Sequence, residues 1–263
     1  MCGRYAASTP ASKLIEIFDA ELDPRENADS TAGLDGLAQW TQPRWNIAPT
    51  DQVAAIIERE RADQIARLLV GLRWGLVPSW SKDPHTAAKM INARAETVAT
   101  KPAYRKAFAA RRCLIPADGY YEWQTIAEPG GIKRARPRKQ PYFISPKSGL
   151  MAMAGIYEFW RDPAAFDTDP WLVSCSIITT SASDDLGIIH DRMPVQIRPE
   201  NWDAWLNPEL TNPEQARALM WFPEPGAMHA HPVSSAVNSV RNDGAELVAA
   251  LSESPSGNKS GRR

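Results

Sequence analysis

Apolar residues in this chain gather mostly in short continuous blocks, and helical spacing shows in four places. The blocks "QVAAII", "RLLVGLRWGL", "PYFI", "MAMAGIY" and "WLVSCSIITT" are short apolar runs with β-branched or aromatic residues in each, so they read as strands. In "STPASKLIEIFDA", Leu14, Ile15 and Phe18 share one helical face, Thr9 is placed to cap it, and Pro10 suits the first turn. "PAYRKAFAARR" repeats the pattern with Tyr104, Ala107 and Phe108 on one face and Arg105, Lys106, Arg111 and Arg112 elsewhere. Trp202, Trp205 and Leu206 in "PENWDAWL" predict a third helix, and "TNPEQARALM", with Asn212 as cap and Pro213 in the first turn, a fourth.

Strands and helices interleave with no linker long enough to divide them, which predicts one α+β domain over residues 1–251. Residues 22–44, rich in Asp, Gly, Gln and Pro, read as a loop or insertion. Residues 125–140 read as a polar, basic, mobile loop between two strands, and 252–263 as a disordered tail.

Composition narrows the setting. The 263 residues are 43% hydrophobic, enough for a sizeable core. Cys2, Cys113 and Cys175 are too few and too widely spaced for a disulfide framework or a structural zinc site, so neither metal nor other cofactor is expected. No signal peptide and no long apolar span is visible, which points to the cytoplasm. The net charge is −1, yet Lys89–Lys139 holds twelve Lys or Arg against Glu96, Asp118, Glu122 and Glu128, a local balance of +8. That is an electrostatic footprint for nucleic acid, with a solvated helix plus a basic loop as the plainer reading.

Cys2 directly follows the initiator methionine, which is normally trimmed before a small residue. The exposed cysteine then carries an amine and a thiol on adjacent carbons. An α-amine has a pKa of about 8, against about 10.4 for lysine, so far more of it is neutral at pH 7. It attacks an aldehyde to give an imine, and the thiol closes a thiazolidine. The alternative is an ordinary half-buried cysteine. Glu122, bracketed by Tyr120, Tyr121 and Trp123, is an acid in an apolar setting, a sign of either proton transfer or a structural ion pair. His190, between apolar residues and Asp191–Arg192, is a candidate acid–base group or a surface histidine. Asn92 and Arg94 alternate, so a strand would turn both to one side. Pro78 breaks the preceding strand and leaves Trp80 in a loop, placed either for packing or for stacking on a base.

"MCGRY", "NIAPT", "WGLVPSW", "NARAET", "RRCLIPADGYYEW", "AGIYE", "SIITTSA" and "HDRMPV" follow one another in an order that resembles the SRAP family, the SOS-response-associated peptidase-like proteins, from Cys2 to about Trp221. The resemblance implies one SRAP domain with a curved, barrel-like antiparallel sheet and flanking helices. It also implies a basic groove for single-stranded DNA, in which Cys2, freed of Met1 by self-processing, captures abasic sites as a thiazolidine crosslink. By the same resemblance Asn92 holds the sugar or adduct, Glu122 assists Schiff-base formation, and His190 acts on the sugar ring oxygen. Arg4, Arg94 and Arg192 match positions for phosphates, and Pro49 and Trp80 positions that pack against bases beside the lesion. The expected protein is a monomer, away from membranes and nucleoid-associated when on DNA. Three rivals are an N-terminal-nucleophile hydrolase of the glutamine amidotransferase kind, a non-covalent single-strand binding module, and a peptidase acting on other proteins, for which no independent Cys/His/Asn signature is visible.

Overall fold

The computed structural model describes residues 2–23, 39–61, 64–126, 137–164 and 171–251. In chain order the strands are β1 (Tyr5–Ala7), β2 (Glu21–Leu22), β3 (Arg44–Ile47), β4 (Gln52–Arg61), β5 (Gln64–Trp74), β6 (Asn92–Arg94), β7 (Arg112–Ala117) and β8 (Gly119–Ile126). They continue with β9 (Arg138–Pro146), β10 (Met151–Trp160), β11 (Leu172–Ser181), β12 (Arg192–Pro194), β13 (Gln196–Ile197), β14 (Met220–Trp221) and β15 (Met228–Pro232). The α-helices are α1 (Ala11–Phe18), α2 (Arg105–Ala110), α3 (Asp184–Gly187), α4 (Trp202–Leu206) and α5 (Pro213–Ala218).

β4 pairs with β5 and β7, β7 with β10, β10 with β11, and β11 with β5, so these strands close into a ring. Every pairing in the ring is antiparallel except β5–β11; β2 on β5 and β6 on β11 are also parallel. Closure explains the unbroken apolar runs, because a barrel strand covered on its outside is buried on both faces. Val53, Ala55 and Ile57 of β4 join one core cluster with Leu68 and Val70 of β5, while Ala54, Ile56 and Leu69 join another. Leu14, Phe18, Ala107, Phe108, Trp205, Leu206 and Ala216 bring four helices onto that second cluster, outside the barrel. The first cluster also holds Tyr5, Ile47, Tyr120 and Ile144, from a separate sheet of order β15-β9-β8-β1-β3. Cys2 belongs to that cluster.

α1 begins one residue beyond its expected proline. Pro10 is the N-cap residue, and its carbonyl accepts from the Lys13 and Leu14 N–H groups; the Thr9 hydroxyl donates instead to Asp118 Oδ1 at 3.3 Å. The expected cap of α5 is in place, with Asn212 Oδ1 accepting from the Glu214 and Gln215 N–H groups. The stretch 22–44 starts in β2 and ends in β3, and its centre, 24–38, lies outside the described residues. Likewise β8 and β9 pair down to Ile126 and Arg138, so residues 125, 126 and 138–140 are strand; 127–136 and the tail 252–263 lie outside the described residues. Gly75, at φ +127°, turns the chain out of β5, and a Cβ there would sit 2.7 Å from the Ala87 carbonyl oxygen.

A buried cation ties two helices to the barrel. Arg112 is 2% exposed, and its guanidinium donates to the carbonyls of Phe108 and Ala109 at the end of α2 and of Trp205 and Asn207 at the end of α4. Burial lowers its pKa only to about 10, so it stays charged at neutral pH among groups that carry the negative ends of the helix dipoles. Arg112→Met removes all four donors and leaves carbonyls without them, an expected loss on the order of 3 kcal/mol in urea unfolding. Arg112→Lys is expected to recover less than half, because one ammonium cannot span two helix ends.

Candidate functional site

Residues 2–4 extend β1 alongside β8, where the Tyr121 N–H donates to the Arg4 carbonyl at 2.9 Å. This places Cys2, fully buried, near Glu122 of β8. Burial pushes the Cys2 thiol well above the ordinary thiol range, the Glu122 charge pushes the same way, and the Arg4 backbone N–H opposes both. The resting Cys2 side chain is therefore a neutral thiol.

Asn92 arrives from β6, held beside β11 by parallel pairing with Ile177. Its Nδ2 donates to the Cys2 carbonyl at 2.8 Å. Its Oδ1 is buried with no hydrogen-bond donor among the described residues, an acceptor left open beside Cys2. The Tyr104 hydroxyl donates to the Asn92 carbonyl at 3.3 Å, fixing the strand from the α2 side.

Glu122 is 3% exposed, and burial raises its carboxyl from 4.5 to about 7, with Asp191 adding to the rise and Lys139 opposing it. His190 stands across from it in the turn between α3 and β12, its Nε2 3.8 Å from Glu122 Oε2. That gap is too long for a direct hydrogen bond and fits a shared proton acceptor or a substrate oxygen between them. Burial holds the imidazole below its usual pKa, and Nδ1 accepts from the Arg192 N–H at 3.0 Å. Asp191 Oδ1 lies equally close to Nδ1, but one nitrogen cannot accept from Arg192 and donate to Asp191 together. The lowered pKa favours the neutral ring, and the Arg192 N–H on Nδ1 places its proton on Nε2, toward Glu122.

Four residues separated by up to 188 positions thus converge: Cys2 with Asn92 by a hydrogen bond, Cys2 with Glu122 by charge, Glu122 with His190 across 3.8 Å. The other expected residues stand differently. Arg4 is half-buried, with Nη1 donating to Asn46 Oδ1 at 2.7 Å and to the Val237 carbonyl at 2.9 Å. Arg94 is exposed, and Arg192 is clamped by Glu96. Pro49 is half-exposed in the turn before Thr50, whose φ is +79°, and Trp80 is 67% exposed on its loop. No hydrogen bond or ring contact joins Pro49 or Trp80 to the other candidates among the described residues.

Sequence reasoning missed Glu96, Tyr104 and Arg217, whose Nη1 donates to the Ala95 carbonyl at 3.1 Å. Glu96 continues the two-residue alternation of Asn92 and Arg94, and that spacing was the available signal. Among the described residues no group of three or more His, Cys, Asp or Glu is placed to hold a metal ion, and no helix is long and apolar enough to cross a membrane.

Comparison with known proteins adds the context. The family model "SOS response associated peptidase (SRAP)" matches residues 1–240. The Bacillus subtilis "Abasic site processing protein YoqW" is 38% identical over 250 residues, covering 94% of this chain and 99% of its own. The chicken "Abasic site processing protein HMCES" is 32% identical over 286 residues, covering 94% of this chain and 77% of its own. A Bacteroides thetaiotaomicron protein of known crystal structure superposes with a TM-score of 0.72 at 25% identity, covering 95% of this chain and all of its own. A phage-related protein from Bordetella bronchiseptica gives 0.61 at 29% identity over 88% and 94% of the two chains. With a family model spanning nearly the whole domain and relatives of this identity, the chain belongs to the SOS response associated peptidase (SRAP) family.

Proposed function

We propose that this protein captures abasic sites in single-stranded DNA as a thiazolidine crosslink on Cys2. The observation that carries the reading is the meeting of Cys2, Asn92, Glu122 and His190 in one place, in a chain whose relatives are named abasic site processing proteins. Hydrolysis of the Met1–Cys2 bond takes up one water and leaves an α-amine on Cys2. This is the self-processing peptidase step that the resemblance implies.

The ring-opened sugar of an abasic site presents an aldehyde. The Cys2 amine adds to its carbon, and loss of one water gives an imine. The thiol then adds across the C=N bond: sulfur bonds to the former aldehyde carbon and its proton goes to nitrogen. Glu122, poised at about 7, takes a proton from the ammonium and returns it to the departing hydroxyl. His190 acts on the sugar ring oxygen: neutral, it hydrogen-bonds that oxygen through Nε2–H while the anomeric hydroxyl proton passes to the oxygen as the ring opens, and the same proton returns on reversal. Asn92 anchors the Cys2 backbone and offers Oδ1 to the N–H of the closed ring.

Arg4, Arg94 and Arg192 bind phosphates in this scheme, and Pro49 and Trp80 pack against neighbouring bases. Phosphate contacts supply salt-sensitive affinity, and the aldehyde supplies selectivity. Intact mass spectrometry of the purified protein, before and after incubation with a single-stranded oligonucleotide containing one abasic site, tests the reading. The expected result is a mass lacking Met1, followed by a denaturation-resistant adduct equal to protein plus oligonucleotide minus one water. A protein lacking Met1 that forms no adduct overturns it.

A further inference from the structure

Arg192 is occupied on nearly every edge. Its Nη2 donates to the Thr179 carbonyl at 2.6 Å, and Nη1 and Nη2 together grip the two carboxylate oxygens of Glu96 at 2.8 and 3.0 Å. Its Nε is buried with no acceptor among the described residues. The Arg192 side chain is 13% exposed and that of Glu96 47%, so the guanidinium edge nearest solvent is the one the carboxylate covers. Glu96 is also coupled to Arg94: its carboxyl is held below the usual range first by the hydrogen bonds from Arg192, with the charges of Arg192 and Arg94 adding to them.

A phosphodiester offers a guanidinium the same paired oxygens as a carboxylate. A DNA phosphate that uses the fork of Arg192 must therefore take the place of Glu96. We infer that Glu96 is an internal stand-in for a backbone phosphate, competing with DNA for Arg192 and so weakening the grip on undamaged strands. This rests on the reading of the site as a DNA site. The competition has a use in a protein whose selectivity is covalent: an intact strand is released quickly, while a strand with an aldehyde is held by the new bonds.

Fluorescence anisotropy with an undamaged, labelled oligothymidylate, over a salt series at pH 7, tests the inference. Glu96→Gln keeps the shape and removes the charge, and it is expected to bind about 5- to 10-fold tighter than wild type at low salt. The slope of log affinity against log salt is expected to steepen by about 0.7, one more phosphate neutralised on a single strand. In an Arg192→Ala background the same change is expected to yield no more than the small general gain of removing a negative charge, because the competition has no object. Glu96→Ser, which shortens the side chain, is expected to gain as Glu96→Gln does. Equal or weaker binding by both Glu96 variants, with wild type binding normally, overturns the role of Glu96 alone and makes it a buttress for Arg192. A wild-type protein that binds no single-stranded DNA at low salt overturns the inference and the DNA reading together.

Discussion

Cys2→Ser is expected to abolish the denaturation-resistant adduct, lowering its yield at least about 100-fold, while an imine trappable by borohydride still forms. Serine keeps the α-amine and the small second residue that favours methionine removal, so the first bond to the aldehyde is still made. What it lacks is a sulfur to close a stable ring, and the imine returns to aldehyde and amine on denaturation. Loss of both products would mean that the variant is misfolded or unprocessed, and its thermal transition and intact mass separate those cases. Cys2 packs in the cluster with Tyr5, Trp74 and Tyr120, so a hydroxyl in place of its thiol is expected to lower stability by about 1 kcal/mol.

This variant also separates capture from the amidotransferase-like alternative. An acyl-transfer mechanism needs the sulfur to attack first, as a thiolate. Burial and the neighbouring Glu122 charge hold the Cys2 thiol neutral, which suits a sulfur that adds second, to an imine already formed by the amine. Trapping an imine on the serine variant shows that the amine reaches the aldehyde without help from the sulfur, as that order requires. A wild-type protein that hydrolyses glutamine would reverse it.

The parts of the site legible in the sequence were those whose chemistry conflicts with their neighbours. An acid among Tyr120, Tyr121 and Trp123 stands out because an ionised carboxylate is costly there, and the structure buries Glu122 as that pattern implies. The strand blocks and helical faces were legible for the same local reason, down to the cap of α5 by Asn212. Closure of the barrel was not: the parallel pairing of Ser174 with Arg73 joins segments about a hundred residues apart, and neither block carries a mark of its partner. Nor was the environment of the arginines. Arg4 meets Asn46 and Val237, and Arg192 meets Glu96 and Thr179, through contacts that exist only once β1, β3, β11 and β12 have assembled. A guanidinium reads alike in sequence whether it awaits a phosphate or already holds a carboxylate.

Glu122→Gln is expected to slow adduct formation by about 100- to 1,000-fold near neutral pH, the usual range for removing a positioned acid–base group. The wild-type rate rises as Glu122 ionises around 7, whereas the variant retains only the rise from the α-amine near about 8. Stability moves the other way, and the sign follows from the raised carboxyl. Below about 4.5 the group is neutral in the folded and unfolded chains alike. Between 4.5 and about 7 the unfolded chain ionises while the folded chain stays protonated, so wild-type stability falls through that window and levels off above it. A shift of this size corresponds to roughly 3 kcal/mol, which the uncharged Gln side chain does not lose. Urea unfolding of the two proteins at pH 4 and pH 8 therefore gives a difference that moves toward the variant by up to that amount at the higher pH. A constant difference across the range would place the ionised Glu122 in a well-compensated ion pair rather than in a site that holds it ready to exchange protons.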